Sequence, residues 1–287
     1  MTICTAPVAL LCALLLAGCA HPPSAVRANA QLSPDTGTTY DLARLPAPKG
    51  RVSVAVYGFR DQTGQYKASP DSSFSTAVTQ GAASMLLNAM RKSGWFRPVE
   101  RENLQDLLTE RKIARALELP KEQHPDAPQM PQLVPAAVLV EGGIIAYESN
   151  VRTGGVAAGF LGISLATQYR VDQVTISLRS VDVRSGEVLN AVSTTKTMYS
   201  YEIHPSLFKF VNIKDLAQFE AGTTRNEPAQ LCVREALEAA VIHLVVQGLV
   251  DRHWQLRDEK DWSSPVLNAY LAEAALRAPD RSVAAND

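Results

Sequence analysis

The chain has 287 residues, enough for one large domain or two modest ones, and it is 46% hydrophobic and 20% charged, too apolar for a disordered chain. Lys+Arg 28 against Asp+Glu 29 leaves a net charge of −1, which is not the balance of a basic nucleic-acid binder or a polybasic membrane-surface protein. Beyond the first twenty residues no apolar run is long enough to cross a bilayer, so a helical membrane protein is excluded; a membrane β-barrel, whose strands leave a weaker trace, is not.

Residues 8–17 form an unbroken apolar run of the length of a signal-peptide core, ending in Leu16-Ala17-Gly18-Cys19. Small residues before a cysteine resemble a bacterial lipobox, in which the thiol takes the lipid and the small neighbours fit the peptidase. The expected organisation is a lipoprotein signal over 1–18, with Cys19 the lipidation site, and a lipidated tether over 19–45. Ala20 follows Cys19 where an aspartate would resemble an inner-membrane retention signal, so the expected address is the outer membrane. Cys4 and Cys12 leave with the signal and Cys19 is modified. Cys232 is then the one thiol left, with no intramolecular disulfide partner and the character of a small buried hydrophobe.

Residues 20–45, rich in Ala, Pro, Ser and Thr, have no apolar period and read as tether. Val52, Val54 and Val56 alternate as in a strand. Residues 60–73 read as a long polar loop, of a length often tied to function. A helix follows, with Ser72 or Ser73 as candidate N-cap, a stripe of Val78, Ala82, Leu86 and Ala89, and a stop at Gly94. A short strand over 95–99 precedes a second helix lined by Leu104, Leu107, Leu108 and Ala114. Five prolines make 119–135 a loop. Residues 137–147 read as a buried strand; Val174, Ile176 and Leu178 begin another, and Ser185-Gly186 turns it into a return strand from Val188 towards Met198. Asn226 is the expected N-cap of a long late helix, with Pro228 in its first turn and Val233, Leu237, Ala240, Val241, Leu244 and Leu249 on one face. Residues 259–287 read as a tail holding one short helical segment near 267–276.

Two segments stand apart. Over 149–171, Leu161, Ile163, Leu165 and Tyr169 share one parity, and Gly162, Ser164, Ala166, Gln168 and Arg170 the other. Over 199–225, Tyr199, Tyr201 and Ile203 alternate with Ser200, Glu202 and His204, and Phe208 and Phe210 follow across Pro205-Ser206. Pattern alone leaves two readings open: a barrel wall between lipid and water, or amphipathic surface hairpins of an ordinary sheet. Two hairpins cannot close a barrel, so the first reading requires neighbouring copies in a ring.

The stretches Leu45-Pro46-Ala47-Pro48, Asp61-Gln62-Thr63-Gly64-Gln65, Phe74-Ser75-Thr76-Ala77-Val78, Glu110-Arg111-Lys112, Tyr147-Glu148-Ser149-Asn150-Val151, Gln168-Tyr169 and Asn226-Glu227-Pro228, in this order and spacing, resemble the CsgG family of curli secretion channels over residues 40–258. The resemblance implies an α+β fold: a periplasmic domain of mixed sheet with flanking helices over 46–258, plus two β-hairpins per subunit, 151–171 and 201–225, contributing to an oligomeric transmembrane β-barrel. It implies a nonameric ring in the outer membrane that secretes unfolded amyloid subunits without ATP, with a periplasmic cap protein confining the cargo. Family members narrow the channel with a Tyr, an Asn and a Phe on the loop before the first helix. The matching positions here are Ser69, Ser73 and Phe74, so only the Phe is kept and substrate identity is open. Without the resemblance, Phe74 reads rather as a hydrophobic staple at a helix start than as part of a gate.

No other chemistry is suggested. His21, His124, His204, His243 and His253 show no metal spacing, and the 154–159 glycine-rich stretch lacks the Lys-Ser/Thr of a phosphate loop. Gly162-Ile163-Ser164-Leu165-Ala166 lacks the last glycine of a nucleophile elbow. The expectation is therefore no enzyme, no metal or nucleotide site, no cofactor beyond the lipid on Cys19, and no nucleic-acid partner. The competing reading is a lipid-anchored adhesion or holdfast-anchoring protein of the same family; a periplasmic enzyme is weaker still.

Overall fold

The computed structural model describes residues 32–66, 75–118, 130–153, 168–204, 207–211 and 228–277. In chain order the elements are α1 (Gly37–Ala43), β1 (Val52–Val56), β2 (Arg60–Asp61), α2 (Ala82–Lys92), β3 (Phe96–Val99), α3 (Leu104–Leu117), β4 (Val138–Thr153), β5 (Gln168–Asp182), β6 (Val188–His204), β7 (Leu207–Val211), α4 (Pro228–Val250), a 3-10 turn (Glu259–Ser263) and α5 (Pro265–Arg277). The strands form one seven-stranded sheet in the order β3-β1-β4-β5-β6-β7, with β2 beside β4. β1 is parallel to β3 and β4, whereas β4 to β7 run antiparallel. This is the mixed sheet with flanking helices expected from the sequence.

α4 is the centre of the core. The expected single apolar face underestimates it. Ile242, Val245 and Val246 are buried along with Val233, Leu237, Ala240, Val241, Leu244 and Leu249, so the helix is enclosed nearly all round, as befits one with so few polar positions. It lies between β5 and β6 on one side and α1, α2 and α5 on the other. Facing it, β5 presents Val174, Ile176 and Leu178, all fully buried. Cys232 is buried as expected, and desolvation pushes its thiol up, which suppresses its reactivity. Near the end of α4, Gly248 makes room for Trp254. A Cβ at Gly248 would stand 1.9 Å from the indole, whose Nε1 donates to the Val245 carbonyl at 2.8 Å.

Two helices depart from the sequence reading. α2 begins at Ala82 behind Gly81 rather than at a cap on Ser72 or Ser73, which lie outside the described residues. The Thr79 hydroxyl accepts from the Gly81 N–H at 3.1 Å and the Thr76 hydroxyl donates to the Val78 carbonyl at 2.9 Å. These local bonds compete with helix over 76–80. Within the stretch read as aperiodic tether, α1 forms over residues 37–43. Thr36 caps it through the Thr39 N–H, the Thr39 side chain accepts from the Thr36 N–H, and Leu42 is fully buried. The Thr39 hydroxyl then donates to Glu238 of α4 at 2.7 Å, fastening the amino-terminal side of the domain to its central helix. At the other end of the chain α5 packs on α4: Leu267 is fully buried and the Tyr270 ring meets that of His243 edge-on at 5.0 Å.

The opposite sheet face carries Gln173, Thr175, Ser177 and Arg179 of β5 with Ser193 and Thr195 of β6. The Thr175 and Thr195 hydroxyls share a hydrogen bond of 3.0 Å, and Arg179 reaches Glu141 at 2.7 Å.

Candidate functional site

The loop and hairpins singled out in the sequence rise from the same part of the sheet. β1 pairs with β4 only over Val138 to Val140. The chain then leaves the sheet, returns as β2 beside Gly143 and Ile144, and donates the Gln62 N–H to the Ile144 carbonyl at 2.9 Å. Gly143 permits this close approach: a Cβ there would stand 2.7 Å from the Arg60 carbonyl and 2.7 Å from Gln62. One oxygen of Asp61 accepts from the Thr63 N–H and hydroxyl at 2.9 and 2.7 Å, while the other accepts from Gln80 at 3.3 Å. Tyr66 pairs antiparallel with Thr76, and the Ala77 N–H donates to the Gln65 carbonyl at 2.9 Å. The two ends of the loop are thus tied together and tied to β4. Ser69, Ser73 and Phe74 belong to the span between those ends and lie outside the described residues, as does Cys19. The Asp-x-Thr spacing at residues 61–63 is the sequence signal of this Asx turn.

The described ends of the expected hairpins, 151–153 with 168–171 and 201–204 with 207–211, lie at the upper ends of β4, β5 and β6 and in β7, while residues 154–167, 205–206 and 212–225 lie outside the described residues. β4 and β5 pair without a break from Asn150 opposite Val171 to Thr153 opposite Gln168, and the span between those ends lies outside the described residues. β6 runs to His204 and β7 returns from Leu207, in keeping with the expected Pro205-Ser206 break. A bulge at Ile145 marks the change from the lower, helix-packed half of β4 to its upper half. A polar belt lies there. The Tyr147 hydroxyl donates to Asp172 at 2.9 Å, both groups being buried, and Lys196 of β6 pairs with buried Glu235 of α4. Charged groups placed inside a fold need such partners, and their position sets an upper limit to the apolar core.

The outline of the sheet is staggered. β7 covers only the upper edge of β6, pairing with Tyr199 to His204, so the β6 edge below it has no strand partner among the described residues. β1 and β2 cover only the lower edge of β4, and its edge from Ala146 to Thr153 likewise has none. β7 runs antiparallel to β4, since three antiparallel pairings separate them.

Among the described residues no group of three His, Cys, Asp or Glu side chains is placed to hold a metal ion, and no helix is long and apolar enough to cross a membrane. The chain matches the family described as "Curli production assembly/transport component CsgG" across residues 36–273. The chain belongs to the CsgG family. Its CsgG relatives include the curli production assembly/transport component of Salmonella typhimurium, 43% identical over 91% of this chain and 95% of that protein. The Escherichia coli K12 component is 42% identical over the same shares. Among solved structures, the lipoprotein GNA1162 of Neisseria meningitidis aligns at a TM-score of 0.30 and 11% identity, covering 57% of this chain and 90% of its own, a likeness too slight to speak to function.

Proposed function

We propose that this CsgG-family chain is the subunit of an outer-membrane pore that passes unfolded curli-type amyloid subunits from the periplasm to the cell surface without ATP. Family membership supports the class of cargo, since the relatives above are curli assembly and transport components. The staggered sheet is the observation that carries the pore. Lipid does not tolerate an open strand edge. Among the described residues the outer edge of β7 and the edge of β4 from Ala146 to Thr153 have no strand partner, and the two strands run antiparallel, at the same end of one sheet and on its opposite sides. Repeating the subunit head to tail sets β7 of one copy against β4 of the next, and a ring, of nine copies by the family resemblance, leaves no edge.

In this reading lipid on Cys19 anchors each subunit, the domain of sheet and helices stands in the periplasm, and the Tyr66–Thr76 bridge fixes the loop that narrows the channel. A cap protein on the periplasmic side confines the cargo, and its gradient and entropy drive it outward. The adhesion or holdfast-anchoring reading is the weaker one, because it leaves the two edges and the close curli relatives without a role.

The test is negative-stain electron microscopy of detergent-extracted protein together with planar-bilayer recording. Uniform rings with a stain-filled centre and a steady unitary conductance are expected. Detergent-soluble monomers under several extraction conditions, with no conductance, would remove the pore.

A further inference from the structure

β3 is the last strand on its side of the sheet, and its outer edge has no strand partner among the described residues. Between β3 and α2 runs a groove of about 400 Å³, with Val56, Leu87 and Phe96 in its apolar lining. Arg51, Arg91, Arg97 and Arg101 also line it. The first three are exposed, and none of them makes an ion pair or a side-chain hydrogen bond among the described residues. Arg101 donates to the carbonyls of Glu100 and Val134 at 2.6 and 2.9 Å, which positions it without neutralising it. Of the carboxylates in the lining, Glu100 accepts from the Asn103 N–H at 2.9 Å and Glu102 is exposed, so the balance of charge stays positive. The strand edge itself offers little. The Val52 N–H donates to the Trp95 carbonyl at 3.0 Å, and the parallel register that follows turns the N–H groups of Arg97 and Val99 towards β1, leaving Phe96 and Pro98 to face outwards. Proline has no N–H to give there, so the edge is ill suited to an added strand, and whatever the groove holds it holds through side chains.

We propose that the groove between β3 and α2 is a docking site for an acidic, extended segment of a partner protein, with Arg51, Arg91 and Arg97 taking its carboxylates. This goes beyond the pore reading and does not depend on it. A guanidinium presents its N–H donors as a planar fork that fits a carboxylate through two bonds at once. Here three such forks stand beside an apolar lining and have no internal partner to give up. The volume admits a short run of residues and not a folded domain. A phosphate headgroup would suit the forks as well, but the place in the fold favours a protein. β1 meets β4 only over Val138 to Val140, at the foot of that strand, and its other end, Thr153, is about 40 Å away at 3.3 Å per residue. The groove thus lies far from the hairpin end of the sheet, where the pore reading puts the lipid.

The experiment uses the detergent-extracted full chain and a short fluorescein-labelled peptide of alternating Glu and Val, with fluorescence anisotropy as the readout. Saturable binding is expected, about 10-fold or more tighter than for the same peptide with Gln in place of Glu, the order expected for charge-assisted hydrogen bonds. The combined variant Arg51→Gln, Arg91→Gln, Arg97→Gln should lose the same factor. A control variant, Lys112→Gln, Arg115→Gln, Arg184→Gln, removes exposed cations on α3 and in the β5–β6 turn and should bind as the unaltered protein does. Where circular dichroism shows the first variant to be misfolded, Arg97→Glu alone decides, and it should weaken binding at least as much as one lost charge-assisted bond, about 10-fold. Equal losses in the two triple variants would reduce the effect to diffuse charge attraction and overturn the assignment, as would no binding by the unaltered protein. Displacement of the peptide by inorganic phosphate or by phosphatidylglycerol vesicles would overturn it in favour of a phosphate ligand. Loss of rings from the first variant alone would also overturn it, because the groove would then join copies of this chain. Binding is read whether or not rings form, so failure of the pore reading leaves this test intact.

Discussion

Glu238 shows how a single buried side chain ties pH to the fold. Its carboxylate sits between α4 and α1, accepting from Thr39 at 2.7 Å, and burial raises its pKa above the usual 4.5 even though that hydrogen bond and the charges of Arg234 and Lys92 oppose the rise. The folded state then binds the proton more tightly than the unfolded state. Stability from this group is complete below 4.5 and is lost as the pH rises from there through the higher folded value. Glu238→Gln keeps an oxygen for Thr39 and cannot ionise. Thermal melts across pH 4 to 8 should show its melting temperature declining less with rising pH than that of the unaltered protein, and parallel curves would exclude the assignment. Residues of this kind were hard to read from sequence. The cap of α1 uses Thr36 and Thr39 where the usual signature ends in Glu or Gln, and its seven residues are too few to display an apolar period. Cys232 was legible, because a lone thiol amid aliphatics at helical spacing has few other destinations.

At the scale of the element, strands were more legible than helix starts. Alternation marks β1, β5 and β6 directly, and Ser185-Gly186 and Pro205-Ser206 punctuate the antiparallel run. The start of α2 was misplaced because serines and threonines crowd residues 72–79, and any of them resembles a cap until local hydrogen bonds are seen to hold 76–80 out of the helix. The rooting of the loop on β4 left no sequence period at all, being a contact between a two-residue strand and a glycine. It is also the contact most open to test. Gly143→Val drives a branched side chain against the Arg60 carbonyl, 2.7 Å from the first added atom, and should cost about 1–3 kcal/mol. Limited proteolysis should then cut within residues 60–80 faster than in the unaltered protein, while the helix content by circular dichroism is kept. Equal cleavage rates would mean that β2 does not root the loop.

For the whole molecule, the proposed ring rests on resemblance more than on pattern, because contacts between copies impose no periodicity on one chain. In the proposed pore Cys19 is the anchor and Ser69, Ser73 and Phe74 form the narrowing, roles that have meaning only in the assembly. Phe74→Ala should leave rings intact and raise the unitary conductance, whereas Ser69→Tyr, which adds a ring of aromatics, should lower it. Unchanged conductance in both would place the narrowing elsewhere. The stagger between β7 and β4 has a last consequence, for the way such a pore is built. In the proposed pore a lone subunit presents the two strand edges left without partners among the described residues, and so does an arc of any length, because each added copy covers one edge and brings another. The penalty for entering lipid is therefore nearly the same for two copies as for all but one, and it vanishes only with the final addition. Assembly is expected to be all-or-none, with subunits and complete rings populated, partial arcs scarce, and a sharp concentration threshold between them.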